Sequence, residues 1–198
     1  MIIYKSDNTK GELSQTACIN DLKIGDIIYL SGTLVTGRDE VYHRVVEENK
    51  MPPIDIKETA IYHAGPIVKE NAAPCKWELL SIGPTTSMRM EKWAADFLQK
   101  TGVKIMLGKG GMGEKTAQAC RELKAIHCVY PCGCAVLGAS QIEKIDDCIW
   151  SEFGMAECLW VMRSQGFGPL IVSIDTYGNN LFTDNMANYS KNVKNILQ

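Results

Sequence analysis

Two turn sequences, each between an apolar run and a helical pattern, constrain the fold of this 198-residue chain most strongly. They cover residues 82–90 and 107–113. Behind the first turn, apolar residues recur at the spacing of one helix face and stop before Gly102, a residue type that commonly ends helices. The order of elements is strand, turn, helix, strand, turn, helix and strand. It predicts parallel strands joined by crossover helices, because parallel neighbours cannot be joined by a tight turn.

The predicted fold class is therefore α/β, with both turns at the carboxyl edge of one sheet, where open α/β sheets bind ligands. The two helices are expected at about residues 90–101 and 114–124, and the third strand at residues 126–130. A hydrophobic content of 45% is enough for a sizeable core, and no repeat or linker divides the chain. We predict a single domain over residues 1–198.

Charge and composition exclude several classes of function. The formal net charge is -2, from 21 basic and 23 acidic residues without a basic run, so nucleic-acid binding is not expected. The sequence shows neither the long apolar stretch of a membrane span nor, with Asp7 near its start, the pattern of a signal peptide. Eight cysteines without regular spacing favour a reducing compartment, and we expect a cytoplasmic protein.

Each turn carries a cation that suggests an anion site. Arg89 falls in the first turn of its helix, where it opposes the helix dipole by roughly 0.3–1 kcal/mol unless an anion binds there. Lys109 lies between glycines, whose missing Cβ atoms allow close approach to the backbone. A solvated arginine and an ordinary tight turn explain either feature alone. The occurrence of both on one sheet edge favours an anion site.

Two other patterns suggest different chemistry. Gly108, Gly110 and Gly113 match the spacing of a dinucleotide fingerprint, but the strand that follows ends without the carboxylate that would hold a ribose. Four cysteines cluster near the third strand without a Cys-x-x-Cys pair, and small buried thiols explain them better than a metal site. They are Cys120, Cys128, Cys132 and Cys134.

His63, at the end of a short strand, is a candidate ligand or base, but a histidine in such a place is more often a satisfied structural one.

Several blocks, in order, resemble the β-subunits of the iron–sulfur-dependent hydro-lyases, which comprise class I fumarases and L(+)-tartrate dehydratases. The blocks are Gly-Arg-Asp at residues 37–39 with His43, His-Ala-Gly-Pro at 63–66, residues 83–90, residues 108–112, and residues 167–175 with 178–181. Together they span about residues 20 to 182. Ser87 and Met88 make the threonine-containing turn look more like that of the tartrate enzymes.

The resemblance implies a swivelling β/β/α domain with a parallel βαβαβ core. It also implies a partner α-subunit, in an α2β2 heterotetramer, that carries a 4Fe–4S cluster whose open iron binds the leaving hydroxide. The implied reaction is the reversible removal of water from a small 2-hydroxy dicarboxylate, either L-tartrate to oxaloacetate or malate to fumarate. The cluster ligands belong to the partner, so no residue of this chain is expected to bind metal.

By the same resemblance, Arg38, Thr86, Arg89 and Lys109 bind substrate, while Thr85 and His43 are catalytic. Arginine suits this role because its planar fork grips a carboxylate at two points. The family pattern has two residues between Asp and His, whereas this chain has three, which would turn His43 by about 100° on a helix. Two alternatives stay open: a non-catalytic anion-binding or scaffold subunit, and a metal or redox protein built on the cysteines.

Overall fold

The structure is a computed structural model, and it describes residues 1–6, 13–71 and 76–196. The strands are β1 (Ile2–Ser6), β2 (Leu13–Thr16), β3 (Ile27–Thr36), β4 (Ala60–Tyr62), β5 (Ile67–Glu70), β6 (Trp77–Ser81), β7 (Ile105–Gly108), β8 (Ile126–Val129), β9 (Ile142–Ile149) and β10 (Leu159–Ile174). The α-helices are α1 (Asp39–Val46), α2 (Glu91–Thr101), α3 (Glu114–Leu123), α4 (Ala135–Ser140) and α5 (Leu181–Ile196). None of these helices combines the length and apolarity needed to cross a bilayer.

Eight strands form one mixed sheet in the order β2-β1-β3-β4-β7-β8-β10-β9, and β10 also pairs with β3. The pairing of β10 with both β3 and β8 closes five strands, β3, β4, β7, β8 and β10, into a barrel. Within it β3, β4, β7 and β8 run parallel, and β10 is antiparallel to both of its neighbours in the ring. The mixed α/β class is confirmed.

The alternation of side chains along the strands creates two cores. On β7, Ile105 and Leu107 point into the barrel, while Met106 between them packs against the helices outside. Strands buried on both faces are hydrophobic throughout, as expected for parallel strands covered by helices. The predicted apolar face of α2 is confirmed, because Trp93 and Phe97 lie in the outer core.

The local elements follow the sequence prediction closely. α2 ends at Gly102, which has a φ of 72°, a conformation that side chains other than glycine rarely adopt. α3 and β8 lie where the pattern places them.

The position predicted for the strand before the first turn is wrong. β6 pairs with β5 in a separate two-stranded antiparallel sheet, and the parallel neighbour of β7 is β4. The reason is visible in burial: Glu78 and Leu80 of β6 are exposed, whereas all three residues of β4 are buried. A central strand of a helix-covered parallel sheet must be buried on both faces, and only β4 meets that requirement.

Candidate active site

The predicted site residues lie in three segments of the chain: Arg38 and His43 follow β3, Lys109 follows β7, and Thr85, Thr86 and Arg89 follow β6. Strands β3 and β7 flank β4, so the first two segments begin at the same carboxyl edge of the barrel. The first turn reaches this edge although β6 lies outside the sheet, because Pro84 forms a bridge with Ala64 just beyond β4. Thr85 then donates its backbone N–H to the carbonyl of His63 at 2.7 Å. The two turns found in the sequence therefore meet at one edge of the barrel.

Backbone hydrogen bonds join the two turns directly. The N–H of Lys109 donates to the carbonyl of Thr85 at 3.1 Å, and the N–H of Ser87 donates to the carbonyl of Lys109 at 3.0 Å. Thr86 lies opposite Lys109 in a short parallel bridge. Thr85 and Lys109 are half-buried and Thr86 is exposed, so all three are accessible to a small ligand.

Arg89 is held in place by a carboxylate of the same chain. Its Nε donates to Oδ1 of Asp39 at 3.2 Å, and its Nη2 lies 2.8 Å from Oδ2 of the same residue. This contact uses one edge of the guanidinium and leaves the Nη1–Nη2 edge pointing elsewhere. The Arg89 side chain is 47% exposed, so a second carboxylate can reach that remaining edge.

Arg38 has a comparable partner on a different loop. Its Nη2 lies 3.0 Å from Oε1 of Glu157, and its Nη1 donates to the carbonyl of Ala156 at 3.4 Å. A Cβ on Gly65 would lie 2.6 Å from Nη1, so the loop after β4 needs a glycine to let the guanidinium pass. The segment just before β10 thus positions Arg38, and two in-chain carboxylates orient the two predicted substrate-binding arginines.

The amino terminus of α3, behind the second turn, is already occupied by an anion. The carboxylate of Glu91 accepts the N–H of Gly113 at 2.7 Å, the N–H of Thr116 at 3.2 Å and the hydroxyl of Thr116 at 2.6 Å. A Cβ on Gly113 would lie 2.6 Å from Oε1 of Glu91. The third glycine of the fingerprint-like motif therefore makes room for this cap. A dinucleotide phosphate would have to displace Glu91 to bind there.

His43 and Tyr42 occupy different sides of α1. The ring of His43 is 42% exposed and lies near Glu47, Glu48 and Trp93, at 3.4 Å and 3.5 Å from the two carboxylates. Tyr42 is fully buried, and its hydroxyl lies 2.7 Å from Nε2 of His63. Because α1 is a continuous helix, the extra residue noted in the sequence is not absorbed by a bulge. Counted from Asp39, the two-residue spacing of the family pattern falls on Tyr42 and not on His43. The catalytic role predicted for His43 stays untested.

His63 belongs to a buried polar group that includes His127, and both rings are fully buried. Burial lowers the pKa of His127 to about 3. Burial, and secondarily the proximity of His127, lowers the pKa of His63 well below its ordinary value. Both rings are neutral at physiological pH, and both nitrogens of each have hydrogen-bond partners. The interpretation of His63 as a satisfied structural histidine is confirmed.

Sequence reasoning missed the other members of this group: Tyr42, Ser87, His127 and Ser173. A signal was present for two of them. His127 and Ser173 each interrupt a strand that is otherwise apolar, and a polar side chain in a buried strand must find a hydrogen-bond partner. The sequence could not show that these partners would be each other.

The four cysteines near β8 do not converge. Cys128 lies in the barrel core and Cys120 in the core beneath the helices, while Cys132 is exposed and Cys134 is half-buried. Burial raises the pKa of Cys120 to about 12, whereas an iron ligand must be a thiolate. Over the parts of the chain that are described, three or more His, Cys, Asp or Glu side chains nowhere come together to hold a metal ion. These residues do not fit a 4Fe–4S cluster.

Two surface depressions differ in their relation to the predicted residues. One, of about 760 Å³, is wide and open and is lined by Arg89 together with residues of α2 and α3. The other, of about 350 Å³, lies between the β5–β6 hairpin and the β9–β10 pair. Of the six predicted site residues, Arg89 lines the first, and none is among the described residues that line the second.

Sequence comparisons show the family of this chain. The family model described as the fumarase C-terminus matches residues 5–185, so the chain belongs to this family. The L(+)-tartrate dehydratase subunit beta of Escherichia coli (strain K12) is 53% identical over 167 residues, which cover 84% of this chain and 82% of that protein. The putative L(+)-tartrate dehydratase subunit beta of Methanocaldococcus jannaschii is 37% identical over 170 residues, covering 84% and 86%. The putative fumarate hydratase class I of Geobacillus stearothermophilus is 35% identical over 166 residues, covering 84% of this chain and 32% of that protein.

Proposed function

We propose that this chain is the β-subunit of a hydro-lyase that, with an α-subunit, reversibly removes water from a 2-hydroxy dicarboxylate. The single observation that carries the proposal is the grouping of Arg38, Arg89, Lys109 and Thr85 on joined loops at one barrel edge. The similarity to tartrate dehydratase β-subunits makes L-tartrate, converted to oxaloacetate, the first substrate to test. Malate, converted to fumarate, is the second.

In this proposal the cations bind the two carboxylates of the substrate. Arg89 presents the guanidinium edge that Asp39 does not use, and Arg38 is fixed by Glu157 from the opposite loop. Lys109 and Thr86, side by side in the bridge between the turns, complete the binding site. A dicarboxylate needs a cation at each end, and a guanidinium with one edge already fixed loses little rotamer freedom on binding.

Thr85 is the proposed proton-transfer residue. Its backbone is fixed on both sides, because its N–H donates to the carbonyl of His63 and its carbonyl accepts the N–H of Lys109. A threonine hydroxyl is a weak base by itself. The proposal therefore assigns it the relay of the carbon-bound proton to a stronger base, a carboxylate of the α-subunit.

The 4Fe–4S cluster and the stoichiometry belong to the same proposal. Because the four cysteines near β8 do not converge, the proposal assigns the cluster to the α-subunit, in an α2β2 heterotetramer. The cluster would supply a Lewis acid for the departing hydroxide. The parallel β3-β4-β7-β8 region with its crossover helices and the antiparallel β10 support the finer fold assignment, a swivelling β/β/α domain.

A non-catalytic anion-binding subunit is the second candidate function. It is favoured by one observation, that both arginines already have in-chain carboxylates, Asp39 and Glu157. Such a subunit would bind dicarboxylates without influencing the chemical step. The kinetic test separates the two.

The test is steady-state kinetics of the complex reassembled anaerobically with the α-subunit, on tartrate and on malate. Arg89→Lys keeps the charge but loses the fork, so kcat/KM should fall roughly 10- to 100-fold, equivalent to about 1.5–3 kcal/mol. Thr85→Val keeps the shape but removes the hydroxyl, so kcat should fall about 100-fold with a smaller change in KM.

Arg163→Lys is the matched control for Arg89→Lys. Arg163 is paired with Asp146 and is 49% exposed, close to the 47% of Arg89, but it lies on β10 and outside the site. It should leave both kinetic constants unchanged. Wild-type kcat in Thr85→Val, with equal cluster content, would instead support the non-catalytic candidate.

A further inference from the structure

A chain of five buried side chains runs through the domain beneath the first turn. The Tyr42 hydroxyl lies 2.7 Å from Nε2 of His63, and Nδ1 of His63 lies 2.9 Å from Oγ of Ser87. The same Ser87 oxygen lies 2.9 Å from Nε2 of His127, whose Nδ1 lies 2.6 Å from Oγ of Ser173. All five residues are essentially inaccessible to solvent. Ser87 is the middle member, between the two histidines.

The hydrogen bonds of this chain point in one direction. The hydroxyl of Ser173 donates to the carbonyl of His127 at 3.0 Å, so the contact at Nδ1 requires His127 to be the donor there. Nε2 of the neutral His127 then accepts from the hydroxyl of Ser87, whose oxygen accepts from Nδ1–H of His63. Nε2 of His63 finally accepts from Tyr42.

The opposite direction is disfavoured by the same contacts. It would turn the hydroxyl of Ser173 away from the His127 carbonyl and would make His63 donate to Tyr42. The phenolic proton of Tyr42 would then have no acceptor recorded among the described residues, and an unpaired buried donor is costly. Both histidines therefore carry their single proton on Nδ1.

Both ends of the chain are closed, which decides what it can do. Tyr42 is stacked on Phe97 with ring centroids 4.1 Å apart, and Ser173 lies within β10, so neither end reaches solvent. A chain without an outlet cannot exchange protons with a substrate. Its effect must be mechanical, through the position that it gives to Ser87.

Ser87 connects this buried chain to the site. It is two residues from Thr85 and two from Arg89, and its backbone N–H holds the carbonyl of Lys109 at 3.0 Å. Its hydroxyl fills the space where Gly108 lacks a side chain, since a Cβ there would lie 2.0 Å from Oγ. The hydroxyl of Ser87 thus attaches the first turn to the buried histidines, and its N–H attaches the first turn to the second turn at Lys109.

We propose that Ser87 is a positioning residue, whose hydroxyl, clamped between His63 and His127, sets the placement of Thr85, Arg89 and Lys109. The inference rests on the proposed function, because it assigns Ser87 a part in that reaction. It predicts that removing one buried hydroxyl disturbs catalysis, although the hydroxyl touches no substrate.

The first test uses the isolated full chain and needs no activity. Nitrogen NMR of the histidine rings should show His63 and His127 neutral and protonated on Nδ1. Amide hydrogen exchange at Lys109 should become at least tenfold faster in Ser87→Ala. Ser164→Ala is the matched control, since it also removes a buried, hydrogen-bonded hydroxyl, one that donates to the carbonyl of Gly32, but it lies outside the site. It should leave the exchange rate at Lys109 unchanged.

The second test uses the reassembled complex. Ser87→Ala should lower kcat at least tenfold, and adding it to Thr85→Val should lower kcat by a clearly smaller factor, because the part of its effect that acts through the Thr85 hydroxyl is already lost. Ser164→Ala should retain wild-type kcat. A purely structural loss would lower the active fraction of both serine variants, and it would add to the effect of Thr85→Val.

The outcomes separate the two proposals. Unchanged exchange at Lys109 and unchanged kcat in Ser87→Ala, with Thr85→Val impaired, would overturn the role of Ser87 and leave the proposed function standing. A fully active Thr85→Val would overturn both. If Ser87→Ala does not fold, the wild-type spectrum still decides, because a proton on Nε2 of either histidine contradicts the chain from which the inference is drawn.

Discussion

The two turns at the barrel edge look alike in sequence but are held by different physics. Each follows a strand or strand-like run, carries a cation and leads into a helix. The first is anchored from below through Ser87, in a buried and neutral network. The second is anchored by the carboxylate of Glu91, at the start of α2, which caps the amino terminus of α3.

This difference teaches how an anion-binding edge can be built without attracting the wrong anion. The helix terminus that a phosphate would seek is filled by an in-chain carboxylate, so the second turn offers Lys109 but not a free α3 amino terminus. The buried network that anchors the first turn is neutral, so it adds no anion that would pair with Arg89 and no cation that would bind the ligand in its place. The cations remain for a ligand, while the dipole of α3 is already satisfied.

The largest expected effect comes from Gly108→Ala, which tests the neutral anchor from the opposite side. The new methyl would overlap Oγ of Ser87 at 2.0 Å and Nδ1 of His63 at 2.9 Å, so the free energy of unfolding should fall by about 3 kcal/mol or more. Gly110→Ala is the control on the same turn. It has no atom within 4 Å but a φ of 69°, and it should cost only about 1–2 kcal/mol. Urea unfolding of both chains measures the difference, and equal losses would show that the buried chain tolerates displacement.

The next effect is a pH dependence that the buried anchor should confer on the whole domain. The folded-state pKa values of His63 and His127 are depressed, so the unfolded chain binds protons that the folded chain does not. Stability is fully present above the unfolded pKa of 6.5 and is lost as pH falls below it. Between pH 7.5 and 5.5 the two histidines should together remove roughly 2–3 kcal/mol of the free energy of unfolding.

Urea unfolding at the two pH values checks this, with His127→Asn as the comparison. That variant keeps only one of the two buried rings, so its loss over the same interval should be about half. Equal pH dependence in the variant and the parent chain would mean that His127 is not neutral in the folded state.

A feature of the fold could be predicted from the sequence when residues close together in the sequence determine it, and could not when distant residues do. The face of α2, its end at Gly102 and the placement of α3 follow from neighbouring residues, and the pattern predicted them. The partner of β7 did not follow, because the strand nearest before it in sequence is β6, while the strand beside it is β4. Only burial on both faces distinguishes the two.

The site divides along the same line. The turn patterns predicted Arg89 and Lys109 as candidates, because each turn is a short local pattern, and the family resemblance added Thr85. The anchors did not follow, since Ser87 and His127 are 40 residues apart and Gly113 and Glu91 are 22 apart. The extra residue between Asp39 and His43 was visible in the sequence as a spacing. That it puts His43 and Tyr42 on different sides of α1 could be seen only from the structure, in which the helix is continuous.

A smaller effect is expected from Glu91→Gln, which tests the charged anchor of the second turn. The amide cannot accept all three hydrogen bonds, and it loses the favourable interaction with the dipole of α3. The free energy of unfolding should fall by about 1–2 kcal/mol. Glu114→Gln, in the exposed first turn of the same helix, is the control and should cost less than about 0.5 kcal/mol. Similar losses in the two variants would show that Glu91 stabilises the start of α3 only through its charge and not through its hydrogen bonds.

The smallest effect should come from Asp39→Asn, which tests whether the ion pair with Arg89 is a third anchor or only an orienting contact. The two side chains are 26% and 47% exposed, so solvent screens the pair, and its loss should lower the free energy of unfolding by less than about 1 kcal/mol. The loss should shrink further when NaCl is raised from about 0.05 to about 0.5 M, because salt screens exposed charges. The loss in Glu91→Gln should be the same at both concentrations, because it comes from hydrogen bonds to the backbone N–H groups of Gly113 and Thr116. Asp146→Asn, which breaks exposed pairs with both Arg163 and Lys144, is the control at both salt concentrations. A salt-independent loss above about 1 kcal/mol in Asp39→Asn alone would make Asp39 a structural anchor of the first turn, and the contrast between a neutrally held and a charge-held turn would then fail.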